Sequence, residues 1–172
     1  MGQPSTEKII ASRAAYATGY YAKQLELGQQ FQDHIACQLQ KIGVILVNYQ
    51  SKKFQLEQGE SLFGAEIKRD GRWRDTGNLY IEIAEKAHPD RMNYIPSGTR
   101  RNDNSWLYII GDEEKAWIFS ITMLRLLEEW GRYEGRTTPT SIGWLLPVDA
   151  ADKYAAKIIE NAAKQQPSAS TT

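Results

Sequence analysis

Cysteine is almost absent from this chain of 172 residues: the one present, Cys37, has no partner, which excludes an internal disulfide. Histidine is nearly as scarce, with His34 and His88 far apart and without companion thiols, so the ligand spacing of a structural zinc site is missing. Net charge is missing too. Lys plus Arg is 21 and Asp plus Glu is 21, so no global field draws the protein to nucleic acid, and any such partner must be held by local patches. No apolar run approaches the roughly 20 residues of a membrane span. Met1 to Lys8 lacks the basic and apolar regions of a signal peptide, so a cytoplasmic location and no membrane partner are expected. A phosphate-cradling glycine loop is also lacking, so ATP dependence is not suggested. What is present suffices for one real core: the chain is 41% hydrophobic, with five Trp and nine Tyr.

The pattern along the chain reads as one domain over residues 6–164, preceded by a loose N-terminus, 1–5, and followed by a polar, disordered tail, 165–172. Apolar residues at three- and four-residue steps predict helix over Thr6 to Lys41, with Gly28 as a possible break and Gly43 as its end. Strands are expected at Val44 to Tyr49, continuing over Lys53 to Leu56, and at Leu62 to Arg69, Asn78 to Ala84, Trp106 to Ile110, Ala116 to Ile121 and Ile142 to Val148. Helices are expected at Met123 to Trp130, capped by Thr122, and at Asp149 to Lys164. His88 to Asn104 reads as a long surface connection with a short helix, and Arg132 to Thr140 as a polar loop. Helix first, strands next and mixed elements last predict an α/β or α+β domain with helices against a mixed sheet.

The segment from Gly59 to Lys86 holds charge where strands usually hold apolar side chains: Glu66, Lys68 and Glu82 stand among Phe63, Ile67, Leu79, Tyr80, Ile81 and Ile83. If the two strands pair antiparallel about a loop centred near Arg74, Glu66 falls opposite Glu82, and Lys68 and Asp70 share its face. Carboxylates roughly 5 Å apart at Cβ repel one another unless a cation lies between them. Mg²⁺ suits that place, because it takes oxygen ligands and often uses only one or two carboxylates. Such an ion can activate water and offset charge on a phosphodiester, while a lysine orients the nucleophile.

Glu66-Ile-Lys-Arg-Asp, Thr76-Gly-Asn-Leu-Tyr-Ile-Glu82, Pro96-Ser-Gly and Trp106-Leu-Tyr-Ile together resemble the active-site region of the PD-(D/E)XK nuclease superfamily. The likeness covers about Gln29 to Ile121 and suits a phage- or mobile-element-type member. It implies an α/β, restriction endonuclease-like fold with a mixed central β-sheet flanked by helices, and a Mg²⁺- or Mn²⁺-dependent endonuclease acting on DNA, as a possible homodimer. Carried onto this chain, it implies Glu66, Lys68 and Glu82 as catalytic residues and Glu66, Asp70 and Glu82 as metal ligands. Asp33, on the leading helix, and Lys86 are possible accessories. The chain departs from the family motif at Ala84, two residues after Glu82, where lysine is standard; either Lys68 or Lys86 could replace it, and either Glu66 or Asp70 could be the first acid. A catalytically inactive DNA- or protein-binding module of the same fold is the alternative.

Two arginine-rich loops flank this segment. Arg69, Arg72, Trp73 and Arg74 crowd the first, and Arg100 and Arg101, with Arg91, the second, so these are the expected nucleic-acid contacts. Thr76-Gly77-Asn78 reads as turn chemistry in any case. Cys37 and the tryptophans Trp106, Trp117, Trp130 and Trp144 read as core.

Overall fold

The computed structural model describes residues 6–49, 58–86 and 88–161. Helix α1, Thr6–Lys41, runs 36 residues without interruption. Gly28 does not break it, because the flanking residues favour helix and one interior glycine costs only about 1 kcal/mol. Two four-stranded sheets follow, and the chain is a mixed α/β protein.

The first sheet is built from β1 (Ala65–Arg69), β4 (Leu107–Gly111), β5 (Lys115–Ser120) and β8 (Lys157–Glu160), in that order. β1 lies parallel to β4, and the remaining pairs are antiparallel. The second sheet is antiparallel, in the order β3 (Ile95–Pro96), β2 (Asn78–Glu85), β7 (Ser141–Pro147) and β6 (Gly135–Thr137). A one-turn helix, α2 (Trp73–Thr76), connects β1 to β2. Helix α3 (Ile121–Glu129) follows β5 and α4 (Val148–Tyr154) follows β7.

Period-two alternation sorts the side chains of the first sheet between two cores. On one face Ala65, Ile67, Ile109, Ala116 and Ile118 receive Phe31, Ile35 and Leu39 of α1. On the other, Tyr108, Ile110, Trp117 and Phe119 meet Leu79, Ile81, Trp144 and Leu146 of the second sheet, closed by Leu124 and Leu127 of α3. Burial on both faces is why β4 and β5 read as continuous apolar runs. Glu66 and Lys68 alternate with Ala65 and Ile67, so they face away from α1, toward the second sheet.

Several expectations are corrected. β1 and β2 do not form a hairpin: β1 is an edge strand parallel to β4, and β2 belongs to the other sheet, so Glu66 faces Tyr108 and Glu82 faces Gly143 in the strand ladders. Val44–Tyr49 forms only an isolated bridge, Asn48 to Ser61, while Lys53 to Leu56 lies outside the described residues. The terminal spans 1–5 and 165–172 also lie outside them. The last helix stops at Tyr154, and Lys157–Glu160 becomes a strand because its Ile158 and Ile159 pair with β5, tertiary pairing overriding the alanine-rich helical pattern. The polar loop contains β6, since Arg136 and Thr137 find ladder partners in β7. Helix α3 begins at Ile121 after Ser120, not at a Thr122 cap. Cys37, Trp106 and Trp130 are exposed rather than core, because α1 turns Cys37 to solvent and the two indoles lie at the ends of their apolar runs. No helix among the described residues is long and apolar enough to cross a membrane.

Near its end β2 carries a bulge, with Glu82 opposite Gly143 and Ala84 opposite Ile142, which leaves Ile83 as the extra residue. Ile83 passes its carbonyl to the Ser97 N–H at 3.0 Å, and a 3₁₀ turn, Gly98–Arg100, closes over the bulge. Gly98 has a φ of +53°, and a Cβ there would run into the Glu82 carbonyl. Replacing Gly98 with alanine therefore forces both strain and a backbone shift. We expect Gly98→Ala to lower stability by about 2 kcal/mol or more, read from the urea midpoint.

Candidate active site

β1 places Glu66 and Lys68 two residues apart on one face, and β2 brings Glu82 to them from the opposed sheet. The Lys68 ammonium lies 3.2 Å from Glu66 Oε1 and 3.6 Å from Glu82 Oε1. Glu66 is fully buried, and neither of its carboxylate oxygens receives a hydrogen bond of ordinary geometry. Among the described residues the Lys68 ammonium is the cation nearest to it; Glu60 opposes its charge and the Arg101 guanidinium adds a weaker pull. Glu82 is better held: the Ser97 hydroxyl donates to its Oε1 at 2.6 Å.

Two residues that no sequence argument named complete the surroundings. Glu60, just before β1, presses on both Glu66 and Lys68 electrostatically, and its Oε2 is buried without a hydrogen bond. No pattern in Gly59-Glu60-Ser61 marks that acid as part of a site. Tyr108, the β4 neighbour of Glu66, is fully buried, and its hydroxyl has no well-formed hydrogen bond. Nothing in an apolar run such as Leu107–Ile110 marks one aromatic residue as part of a site.

Burial pushes the Glu66 carboxyl above its ordinary value of 4.5, against the pull of Lys68. Burial opposes the Lys68 charge as well, yet Glu66, Glu60 and Glu82 outweigh it and hold the ammonium well above its ordinary value. Lys68 is therefore a fixed cation. Tyr108 is raised well above the usual phenol value by burial, then by Glu66, and stays neutral.

The other expected site residues go elsewhere. Asp70 accepts the backbone N–H of Arg72 on Oδ1 and of Tyr80 on Oδ2, each at 2.9 Å, and so ties the end of β1 to β2. Arg69 pairs with Glu113 at 3.1 Å. Arg74 pairs with Asp112 at 2.6 Å and Glu114 at 2.9 Å. The Trp73 indole donates to Asp112 and meets Trp117 edge-on at 5.0 Å. Arg100 pairs with Glu128, and Arg101, 9% exposed, lies among Glu60, Glu85 and Asp103. Lys86 donates to the Pro89 carbonyl at 2.8 Å, and Asp33 stays on the exposed side of α1. Thr76 and Asn78 bond to one another across Gly77, as turn chemistry requires. Of the seven expected contacts in the two loops, Arg72 and Arg91 are the ones exposed without an ion pair or ring contact among the described residues.

A cleft of about 480 Å³ opens over this arrangement, lined by Lys68, Asp70, Arg72, Tyr80, Glu82 and Tyr108, with Arg136 from β6. The three-carboxylate metal set expected from Glu66, Asp70 and Glu82 is not formed: among the described residues no three His, Cys, Asp or Glu side chains converge on one point. Asp70 is absent from any such set because backbone amides occupy both its oxygens. What remains among the described residues is two carboxylates around one ammonium, with Glu66 Oε2 taking no hydrogen bond. Glu66 and Glu82 are the residues that could hold a divalent cation, since Mg²⁺ often uses only one or two carboxylates, and the Lys68 ammonium stands between them. No protein-family model matches the chain, and no curated protein and no solved structure matches it either.

Two outcomes test the electrostatics. Tyr108→Phe removes a buried hydroxyl without changing the packing volume, so its stability should stay within about 1 kcal/mol of wild type or rise, whereas Tyr108→Ala should lose about 3 to 5 kcal/mol. Lys68→Met leaves Glu66 buried with the weaker pull of the Arg101 guanidinium in place of an ammonium at 3.2 Å, and should cost about 3 kcal/mol at pH 8. The sign with pH follows from the raised carboxyl: between its ordinary value of 4.5 and its higher folded-state value the folded state holds more protons than the unfolded chain, so stability falls as pH rises through that window. The deficit of Lys68→Met relative to wild type should therefore shrink on acidification, as urea unfolding at a series of pH values would report.

Proposed function

We propose that the protein is a Mg²⁺- or Mn²⁺-dependent endonuclease that hydrolyses DNA phosphodiester bonds, with a restriction endonuclease-like organisation of its site. The observation that carries the reading is Glu66: fully buried, with the Lys68 ammonium as the one donor within reach of its carboxylate among the described residues, and sharing that ammonium with Glu82 beside a solvent-open cleft. An acid buried without donors is costly unless a cation accompanies it.

Glu66 and Glu82 would hold the metal, with Glu60 near enough to add to the negative potential. The ion, when bound, supplies charge stabilisation to the phosphodiester and lowers the pKa of water. Lys68 remains protonated, so it donates to and orients an anionic oxygen and does not remove a proton. Ser97 holds Glu82 in place, and Asp70 acts through the backbone by fixing β2 against β1.

The test is incubation of the protein with supercoiled plasmid and Mg²⁺ or Mn²⁺. Nicking should appear, and Glu66→Ala, Glu82→Ala and Lys68→Ala should each reduce it by about a hundredfold or more. Absence of nicking by the wild type with both metals, or full activity in Glu82→Ala, would sink the reading. One observation favours the alternative, a non-catalytic module: the Lys68 ammonium already stands between the two carboxylates. Calorimetry with Mg²⁺ separates the two, since binding lost in Glu66→Ala belongs to the enzyme and absence of binding to the module.

A further inference from the structure

We propose that Arg72 and Arg136 form a two-point phosphate clamp at the cleft, and that DNA lies across this face rather than on the arginine-rich segments around it. The proposal deepens the nuclease reading and rests on it for the identity of the ligand.

Ion pairing sorts the arginines. Arg69, Arg74 and Arg100 are tied to Glu113, to Asp112 with Glu114, and to Glu128. Arg101 is sequestered among acids. A guanidinium already paired must give up a carboxylate before it can take a phosphate, so its net gain is small. Arg72 and Arg136 are exposed, line the cleft, and have no carboxylate partner among the described residues. They come from separate elements, one from the β1–β2 connection and the other from β6.

Their backbones are nevertheless fixed. Asp70 accepts the Arg72 N–H at 2.9 Å, and the same carboxylate accepts the Tyr80 N–H, so this arginine is indexed to β2. Arg136 pairs with Gly143 in the ladder, directly beside the Gly143 to Glu82 pairing, so it is indexed to the strand that carries Glu82. Both guanidiniums thus start from positions held relative to Glu82 while their donors stay free. Forked donors of this kind suit a phosphate oxygen pair. The placement also answers an electrostatic need. The cleft floor carries Glu82 with Glu66 behind it, and the chain has no net positive charge, so an anionic strand can be retained only if unpaired cations stand beside that floor.

The measurement is fluorescence anisotropy of a labelled DNA 20-mer, single-stranded and duplex, with Ca²⁺ in place of Mg²⁺ so that no strand is cut, across a range of salt concentrations. Arg72→Ala and Arg136→Ala should each weaken binding about tenfold and lower the salt slope by about 0.7 to 0.9, the contribution of one phosphate. Arg100→Ala should leave both unchanged, and charge reversal in Arg136→Glu should weaken binding further. Since both side chains are exposed, circular dichroism should show each variant folded. The clamp is overturned if the wild type does not bind DNA, if Arg136→Ala binds with an unchanged slope, or if Arg100→Ala weakens binding as much. Loss of binding in both clamp variants of a protein that nicks no plasmid would uphold the clamp and reject the nuclease. Nicking with binding indifferent to Arg72 and Arg136 would do the reverse.

Discussion

The buried carboxylate of Glu66 is the constraint on which the rest of the site depends. A glutamate with no solvent contact is costly to keep charged unless a cation is held against it, and Lys68, two residues along the same strand, supplies most of that charge, with Arg101 behind it. The same ammonium reaches Glu82 on the other sheet, so the pair also joins two layers whose strands share no ladder hydrogen bonds. Around it the fold places rigid supports: the Ser97 hydroxyl on Glu82, the Asp70 carboxylate between β1 and β2, and a bulge that needs Gly98 beside it.

A second ionic centre explains why most of the arginines near the site do not face it. Asp112, at 3% exposure, receives the Trp73 indole and the Arg74 guanidinium and also caps the turn between β4 and β5 through the Glu114 and Lys115 amides. That centre pins α2 to the first sheet and holds the connection between β1 and β2 in place. The arginines that remain unpaired are then a selected subset rather than a general basic surface, which agrees with a chain of balanced charge.

Much of the fold was legible in the residues because its cause is local. The period of Phe31, Ile35 and Leu39 in α1, the alternation in β2 and the apolar runs of β4 and β5 each follow from one face or two being buried. Strand β8 and strand β6 were not legible, since Lys157–Glu160 and Gly135–Thr137 become strands only by meeting β5 and β7. Trp73 illustrates the same limit at the side-chain level. An aromatic residue among three arginines suggests a base-stacking tip, but whether its indole meets a base or Asp112 depends on a residue 39 positions away.

For the site itself, charge in strand centres was enough to select Glu66, Lys68 and Glu82, because burying such groups is costly unless they are paired. The sequence alone thus determined which residues would need one another. Only the tertiary structure decided how they meet: across two sheets through a shared lysine, not across a hairpin, with Glu60 and Tyr108 beside them and Asp70 diverted to the backbone. The physical reason is that alternation along a strand fixes the face on which a side chain lies, whereas the identity of the strand opposite is set by packing of the whole chain.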